Sequence, residues 1–230
     1  MSLFITATGT DIGKTFVATA LIRGWKARGL SIGAYKPIVS GVDPADPAGS
    51  DPALMLEALG TPVTTGALDR IAPWRFQPAL SPDMAAEREG QSIDYSDLLI
   101  WCRKAANGPQ DRILIEGAGG VMVPINRDHL FRDLIADLKM PALVVAGSYL
   151  GTISHTLSTL EALHMADIPV AGVVVSESEN SPVPLEETIA AMERFVWSSR
   201  FFGLPRRALS EGDAVALSEF ADQSSITMPS

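Results

Sequence analysis

The chain has 230 residues, 47% of them hydrophobic, a formal net charge of -9 and one cysteine. That length supports one sizeable core and predicts one domain over 1–230, and an acidic balance without any Lys/Arg cluster excludes a duplex nucleic-acid binder, which needs a basic face. A lone cysteine rules out an internal disulfide, and no stretch reaches the roughly 18 uninterrupted apolar residues of a membrane span, so a cytoplasmic protein without a membrane partner is expected.

In chain order, short β-branched or aliphatic runs fall at 3–8, 31–39, 112–117, 141–147 and 169–176. Between them lie segments with apolar residues at helical spacing, at 14–29, 51–60, 95–107, 155–167 and 185–197. Strands apolar on both faces, alternating with amphipathic helices, predict an α/β fold: a mostly parallel sheet covered by helices on both faces. The stretches 43–51 and 61–82, rich in Pro, Gly and Asp or interrupted by Pro, read as loops. Cys102, within the helical pattern LLIWCRKAA, reads as a buried thiol.

Four strands stop at small or polar residues: TATGT, KPIVSG, EGAGG and AGSYLG. Ligands of open parallel sheets bind at the carboxyl ends of the strands, so these stops should lie along one edge and hold the chemistry. The first continues as ATGTDIGKTFVATALI, a strand, a glycine-containing loop and Gly-Lys-Thr at the head of a helix, the context of a phosphate-binding loop. Lys14 reaches terminal phosphates from there, and the Thr15 hydroxyl is placed for Mg2+. Only three residues separate Gly9 from Gly13, where the strict pattern has four, so the loop is a variant.

Lys36 and Ser40 sit on the same edge, and beside a triphosphate a second cation would neutralise a transferring phosphoryl group. Taken locally, Asp51 reads as the N-cap of the helix that follows it. Glu116 ends the apolar run RILI, and a carboxylate buried there needs a partner or a metal, which makes it a good Mg2+ ligand beside glycines that let a ligand approach the main chain. His129, His155 and His164 are scattered without a metal-ligand spacing.

Together ATGTDIGKT, YKPIVSG, Asp51, SPDMAAEREG at 81–90, IEGAGGVMVPI at 115–125 and LGTISHTLST at 150–159 resemble the dethiobiotin synthetases, in the same order over nearly the whole chain. The resemblance implies a P-loop NTPase-like fold and an ATP-dependent cyclo-ligase. Such an enzyme uses ATP and Mg2+ to turn 7,8-diaminopelargonate and CO2 into dethiobiotin through a carbamate and its phosphoric anhydride. It implies catalytic roles for Lys14, Lys36, Thr10 and Ser40, and Mg2+ held by Thr15, Asp51 and Glu116. Nucleotide contacts carried over are Asp11, Ile12, Gly13, Lys14, Thr15, Phe16, Asp51, Glu116, Gly117, Ala118, Gly119 and Ser176. To these the base-side loop FFGLPRR at 201–207 adds Gly203, Leu204 and Pro205. Substrate contacts are Ser40, Ser81, Gly119, Gly151 and Ser154, and the family's homodimer implies a second copy as partner.

The chain departs from the family's pattern at several of these positions. Ala7 replaces the loop's first glycine and Gly9 its aspartate, Ser154 stands where an asparagine is frequent and Tyr149 where a lysine is. Ser176 replaces the asparagine that reads the base, and serine is too short for a paired amide contact. The alternative is a switch-type P-loop ATPase of the chromosome-partitioning kind. Its loop carries a further lysine near its start, whereas 7–15 contains only Lys14.

Overall fold

The computed structural model describes residues 1–43, 45–196 and 199–223. Its elements in order are β1 (Ser2–Ala7), α1 (Lys14–Ala27), β2 (Ile32–Tyr35), β3 (Ile38–Ser40), α2 (Asp51–Leu59), α3 (Thr65–Ile71), β4 (Trp74–Phe76), α4 (Pro82–Arg88) and α5 (Tyr95–Ala106). The second half adds β5 (Arg112–Glu116), α6 (Phe131–Leu138), β6 (Ala142–Ala146), α7 (Thr152–His164), β7 (Val170–Ser176), α8 (Leu185–Glu193), β8 (Phe201–Leu204) and α9 (Glu211–Asp222).

The main sheet is six-stranded in the order β2-β5-β1-β6-β7-β8, and every pairing in it is parallel. The two-residue period of a strand divides its side chains between two cores. In β1, Leu3, Ile5 and Ala7 join Val17, Leu21, Trp25 and Leu217 on one face, while Phe4 joins Leu98, Phe131, Leu134 and Leu163 on the other. In β6, Leu143 and Val145 belong to the first core, and Ala142, Val144 and Ala146 to the second. The expected parallel sheet with helices on both faces is the observed architecture, and all six strands bring their carboxyl ends to one edge.

Three local readings are corrected. The single run at 31–39 is two strands, because Pro37 has no N–H to continue the ladder; β2 pairs with β5, and β3 leaves to pair with β4 in a separate two-stranded sheet. The 61–82 stretch is not a plain loop: Thr64 caps α3 by accepting from Ala67 N at 3.2 Å, and β4 follows. The 201–204 part of the base-side loop is strand β8, parallel to β7 at the sheet's edge. Pro44 of the 43–51 loop and Trp197 of the 185–197 helical pattern lie outside the described residues.

The first core requires α1 and α9 to touch backbone to backbone. A Cβ on Gly24 would stand 2.0 Å from the Ala214 carbonyl oxygen, so only glycine fits there. Asp222, at the end of α9, accepts from Trp25 Nε1 at 3.1 Å, from an Arg28 guanidinium nitrogen at 2.8 Å and from Arg112 Nε at 2.8 Å. One carboxylate thereby ties α9 to α1 and to β5. On the other face Cys102 is fully buried, and burial pushes its thiol up to about 12.

Candidate active site

The site begins with the backbone between β1 and α1. Asp11 (φ 57°) and Gly13 (φ 99°) are both left-handed, the conformation that anion-binding nests of successive N–H groups use. Aspartate tolerates that conformation better than most residues, and Gly13 carries no Cβ to oppose it. Gly13 is also the N-cap of α1; no side chain caps the helix and no acidic residue lies in its first turn. Its first N–H groups and the positive end of its dipole therefore face the site unneutralised.

Around this loop is a cavity of about 380 Å³ lined by Thr10, Asp11, Gly13, Lys14, Thr15, Phe16, Lys36, Val39, Ser40, Asp51, Ala118 and Gly119. Lys14 enters from the first turn of α1 and donates to the Gly9 carbonyl at 3.2 Å. Burial, and then the nearby Lys36 ammonium, lower its pKa to about 8. A cation held this way gains from an arriving anion, which restores the charge that burial disfavours.

Lys36, 2% exposed, follows β2, and its Nζ lies 2.6 Å from Glu116 Oε1 and 2.7 Å from Asp51 Oδ2. Burial alone would lower its pKa, but the two carboxylates outweigh that and raise it above the usual value. Asp51 mirrors it: burial opposes its charge, and Lys36 more than compensates, holding the carboxyl below its ordinary value. Thr15 Oγ1 donates to Glu116 Oε1 at 2.8 Å, and the other carboxylate oxygen, Oε2, is buried without a hydrogen-bond partner. Asp51 is free for this contact because Ser50 is the N-cap, accepting from Ala53 N at 3.4 Å; the capping reading of Asp51 is corrected.

Ser40, on β3, faces the cavity and donates its hydroxyl proton to the Leu80 carbonyl at 2.7 Å. That bond joins the cavity wall to the turn before Ser81, whose own hydroxyl donates to Asp83. Gly117 does not line the cavity; a Cβ there would press on Phe4 and Phe131, while its carbonyl lies 3.5 Å from Lys36 Nζ. Ile12 packs against the first core and anchors the loop from behind.

Ser176 ends β7 beside the loop, its Oγ 3.0 Å from where a Cβ of Gly13 would stand. Leu204 has its side chain in the core, and its carbonyl accepts from Glu177 N at 2.9 Å; Pro205 follows it. Gly151, the left-handed N-cap of α7, and Ser154 are exposed and do not line the cavity of the single chain.

Two features escaped the sequence reading. Val39 supplies an apolar wall to the cavity, and its only signal was its place inside KPIVSG. Ser148 and Ser178 bond reciprocally, Ser148 N to Ser178 Oγ at 3.0 Å and Ser178 N to Ser148 Oγ at 2.9 Å, which joins the loops after β6 and β7. No local pattern announces a contact between residues so far apart in the chain.

Residues 1–211 match the AAA domain family. Among solved structures, the Pyrococcus furiosus cell division ATPase MinD superposes with a TM-score of 0.58 at 14% identity, over 96% of this chain and 98% of that one. That likeness is one of fold, a P-loop NTPase-like parallel sheet. In sequence, the chain is 47% identical over 216 residues to the ATP-dependent dethiobiotin synthetase BioD of Caulobacter sp. (strain K31), covering 94% of this chain and 92% of that protein. It is 46% identical over 192 residues to the enzyme of the same name from Acidiphilium cryptum (strain JF-5), covering 83% and 86%. With Lys14, Lys36, Asp51 and Glu116 all inside residues 1–211 and identities of 46–47% over most of the chain, the chain belongs to the ATP-dependent dethiobiotin synthetase family.

Proposed function

We propose that the protein closes a cyclic urea on 7,8-diaminopelargonate, consuming CO2 and ATP and yielding dethiobiotin, ADP and phosphate. One observation carries this reading: two buried lysines and two carboxylates from separate elements converge beside an uncapped helix N-terminus. A phosphoryl transfer is catalysed mainly by positioning and charge, and these residues supply both.

The amine of the diamine adds to CO2 and loses a proton, giving a carbamate. A carbamate oxygen attacks the γ-phosphorus and ADP leaves, forming the carbamic-phosphoric anhydride. The second amine attacks the carbamate carbon and expels phosphate as the ring closes. The nest from Thr10 to Gly13 and the Lys14 ammonium hold the β- and γ-phosphates, and Lys36 faces the charge that builds on the transferring group. Thr10 offers its hydroxyl to the carbamate, Ser40 does so by turning its proton away from the Leu80 carbonyl, and Gly119 lets the carbamate approach the backbone.

Among the described residues no group of three or more His, Cys, Asp or Glu is clustered as a metal site. A hydroxyl and two carboxylates are nevertheless the hard oxygen set that Mg2+ takes when phosphates and waters complete its shell, and the unpartnered Glu116 Oε2 fits a cation there. Thr15, Asp51 and Glu116 would hold it, and when bound it would neutralise charge on the β- and γ-phosphates. The exposure of Gly151 and Ser154 supports a homodimer in which a second copy brings these residues to the substrate. Among the described residues no helix is long and apolar enough to cross a membrane.

The test is product identification by mass after incubation with diaminopelargonate, labelled bicarbonate, Mg2+ and a panel of nucleoside triphosphates. One label retained per dethiobiotin, with phosphate release that requires diamine and bicarbonate, is the expected result. Phosphate release indifferent to both would reject the ligase reading in favour of a switch ATPase.

A further inference from the structure

The Lys36 ammonium occupies the position where a divalent cation would meet Asp51 and Glu116. We propose that Lys36 is a resident cation that keeps free metal out of this pair, so that the metal enters only together with a triphosphate. The inference rests on the reading of the site as one for a metal-bound triphosphate.

Nζ contacts Glu116 Oε1 at 2.6 Å and Asp51 Oδ2 at 2.7 Å, and the same Glu116 oxygen also accepts from Thr15 Oγ1 at 2.8 Å. Each of the three groups that would ligate the metal thus has an oxygen engaged with Lys36 or with another of them, and Glu116 Oε2, which has no partner, is buried on the same carboxylate that holds Nζ. A Mg2+ ion bonds oxygen at about 2.0–2.1 Å, so it cannot share that space with an ammonium in contact with the same atoms. The two cations also repel each other, and Lys36 and Glu116 are buried enough, at 2% and 0% exposed, for water to screen that repulsion poorly.

A bare divalent ion must therefore expel Lys36 with nothing else to receive it. A triphosphate changes the balance, because its terminal oxygens arrive at the start of α1 and offer the ammonium new acceptors. The backbone of Lys36 stays in place, since its N–H donates to the Ile71 carbonyl at 2.9 Å and Pro37 follows it. Only the side chain swings, from the carboxylates towards the phosphates, with the Gly117 carbonyl at 3.5 Å as a further acceptor beside its path.

The experiment titrates nucleotide-free protein with Mn2+ as the probe, reading bound metal by electron paramagnetic resonance and unfolding by circular dichroism. The wild type is expected to take up no ion at this pair and to show no rise in melting temperature, whereas K36M binds Mn2+ roughly tenfold tighter or more. K36R, which keeps the charge, excludes the metal as the wild type does, and K36M/E116Q loses the gain. Uptake by the wild type that E116Q abolishes overturns the proposal, as does equal Mn2+ affinity of wild type and K36M. Should K36M fail to fold, the wild-type titration and its E116Q control still decide. A parallel titration of the wild type with Mn2+ and ATP together separates the two readings: failure to bind that complex refutes the triphosphate site, whatever the free-metal result.

Discussion

Lys14 and Lys36 are both buried cations, yet their surroundings push them in opposite directions, and that difference is testable. Burial and the neighbouring ammonium bring Lys14 to about 8, while bound phosphate favours its charged form. ATP affinity in Mg2+ is therefore expected to be full below pH 8 and to fall up to tenfold per unit above it, as binding begins to require uptake of a proton. Calorimetry across pH checks this, and K14R should flatten the profile because arginine stays charged. Lys36→Ala should leave nucleotide binding largely intact and cut turnover about 10²–10³-fold, the usual cost of removing a transition-state charge partner. Unchanged turnover at saturation with weakened binding would reject that role. Glu116→Gln should raise the Mg2+ concentration needed for half-maximal rate, read from a metal titration of activity. At this scale the need of Glu116 for a partner was legible in the sequence, because a carboxylate ending the apolar run RILI is costly to bury bare, but its pairing with Lys36 was not. The partnership of Asp51 was not, because the fold alone brings it to Lys36, and the residue before it takes over the capping role.

Among the elements, α1 was readable from its spacing and its Gly-Lys-Thr start, but the packing of α9 on it was not. Nothing local says that Gly24 lies under the Ala214 carbonyl. Gly24→Ala must push the two helices apart and should destabilise by about 1–3 kcal/mol, measured by urea unfolding. Asp222→Ala removes a carboxylate shared by Trp25, Arg28 and Arg112 and should cost about 2–3 kcal/mol by the same measurement. Burial works against the charge of Asp222, but Arg112 and Arg28 outweigh it and hold its pKa below the usual value. Its stabilisation is therefore complete above a pH of about 3.9, the unfolded value, and is lost as pH falls from there towards the lower folded value. The hidden elements share a cause. Strands β4 and β8 are three and four residues long, too short for a period to declare itself, and β8 runs into Pro205.

For the molecule as a whole, alternation of apolar runs with helical segments gave away the parallel sheet and the edge that carries the site. The strand order was hidden, because it depends on which crossovers pack best rather than on any one segment. Binding at that edge should stabilise the entire fold by mass action. At a hundredfold excess of ATP and Mg2+ over the dissociation constant the gain is about 2.7 kcal/mol, roughly 5–10 °C in melting temperature for a chain of this size. ATP with a chelator should give a smaller shift in the same thermal scan, since the carboxylate pair then has no metal to hold.

The break at Pro37 has a consequence for how such a catalyst diversifies. Val39 and Ser40 stand on β3, whose ladder partner is β4 and not a strand of the large sheet. Their wall of the cavity thus belongs to a second, smaller sheet with its own ladder, although its Ile38 and Phe76 pack into the core beside Phe4 and Ile115 of the main one. Under the proposed roles, a change at Ser40 alters the room offered to an acceptor while leaving the ladder between β1 and β5, which ends at Glu116, in place. Under those roles, changing what is phosphorylated and changing what phosphorylates become partly separable problems for natural selection.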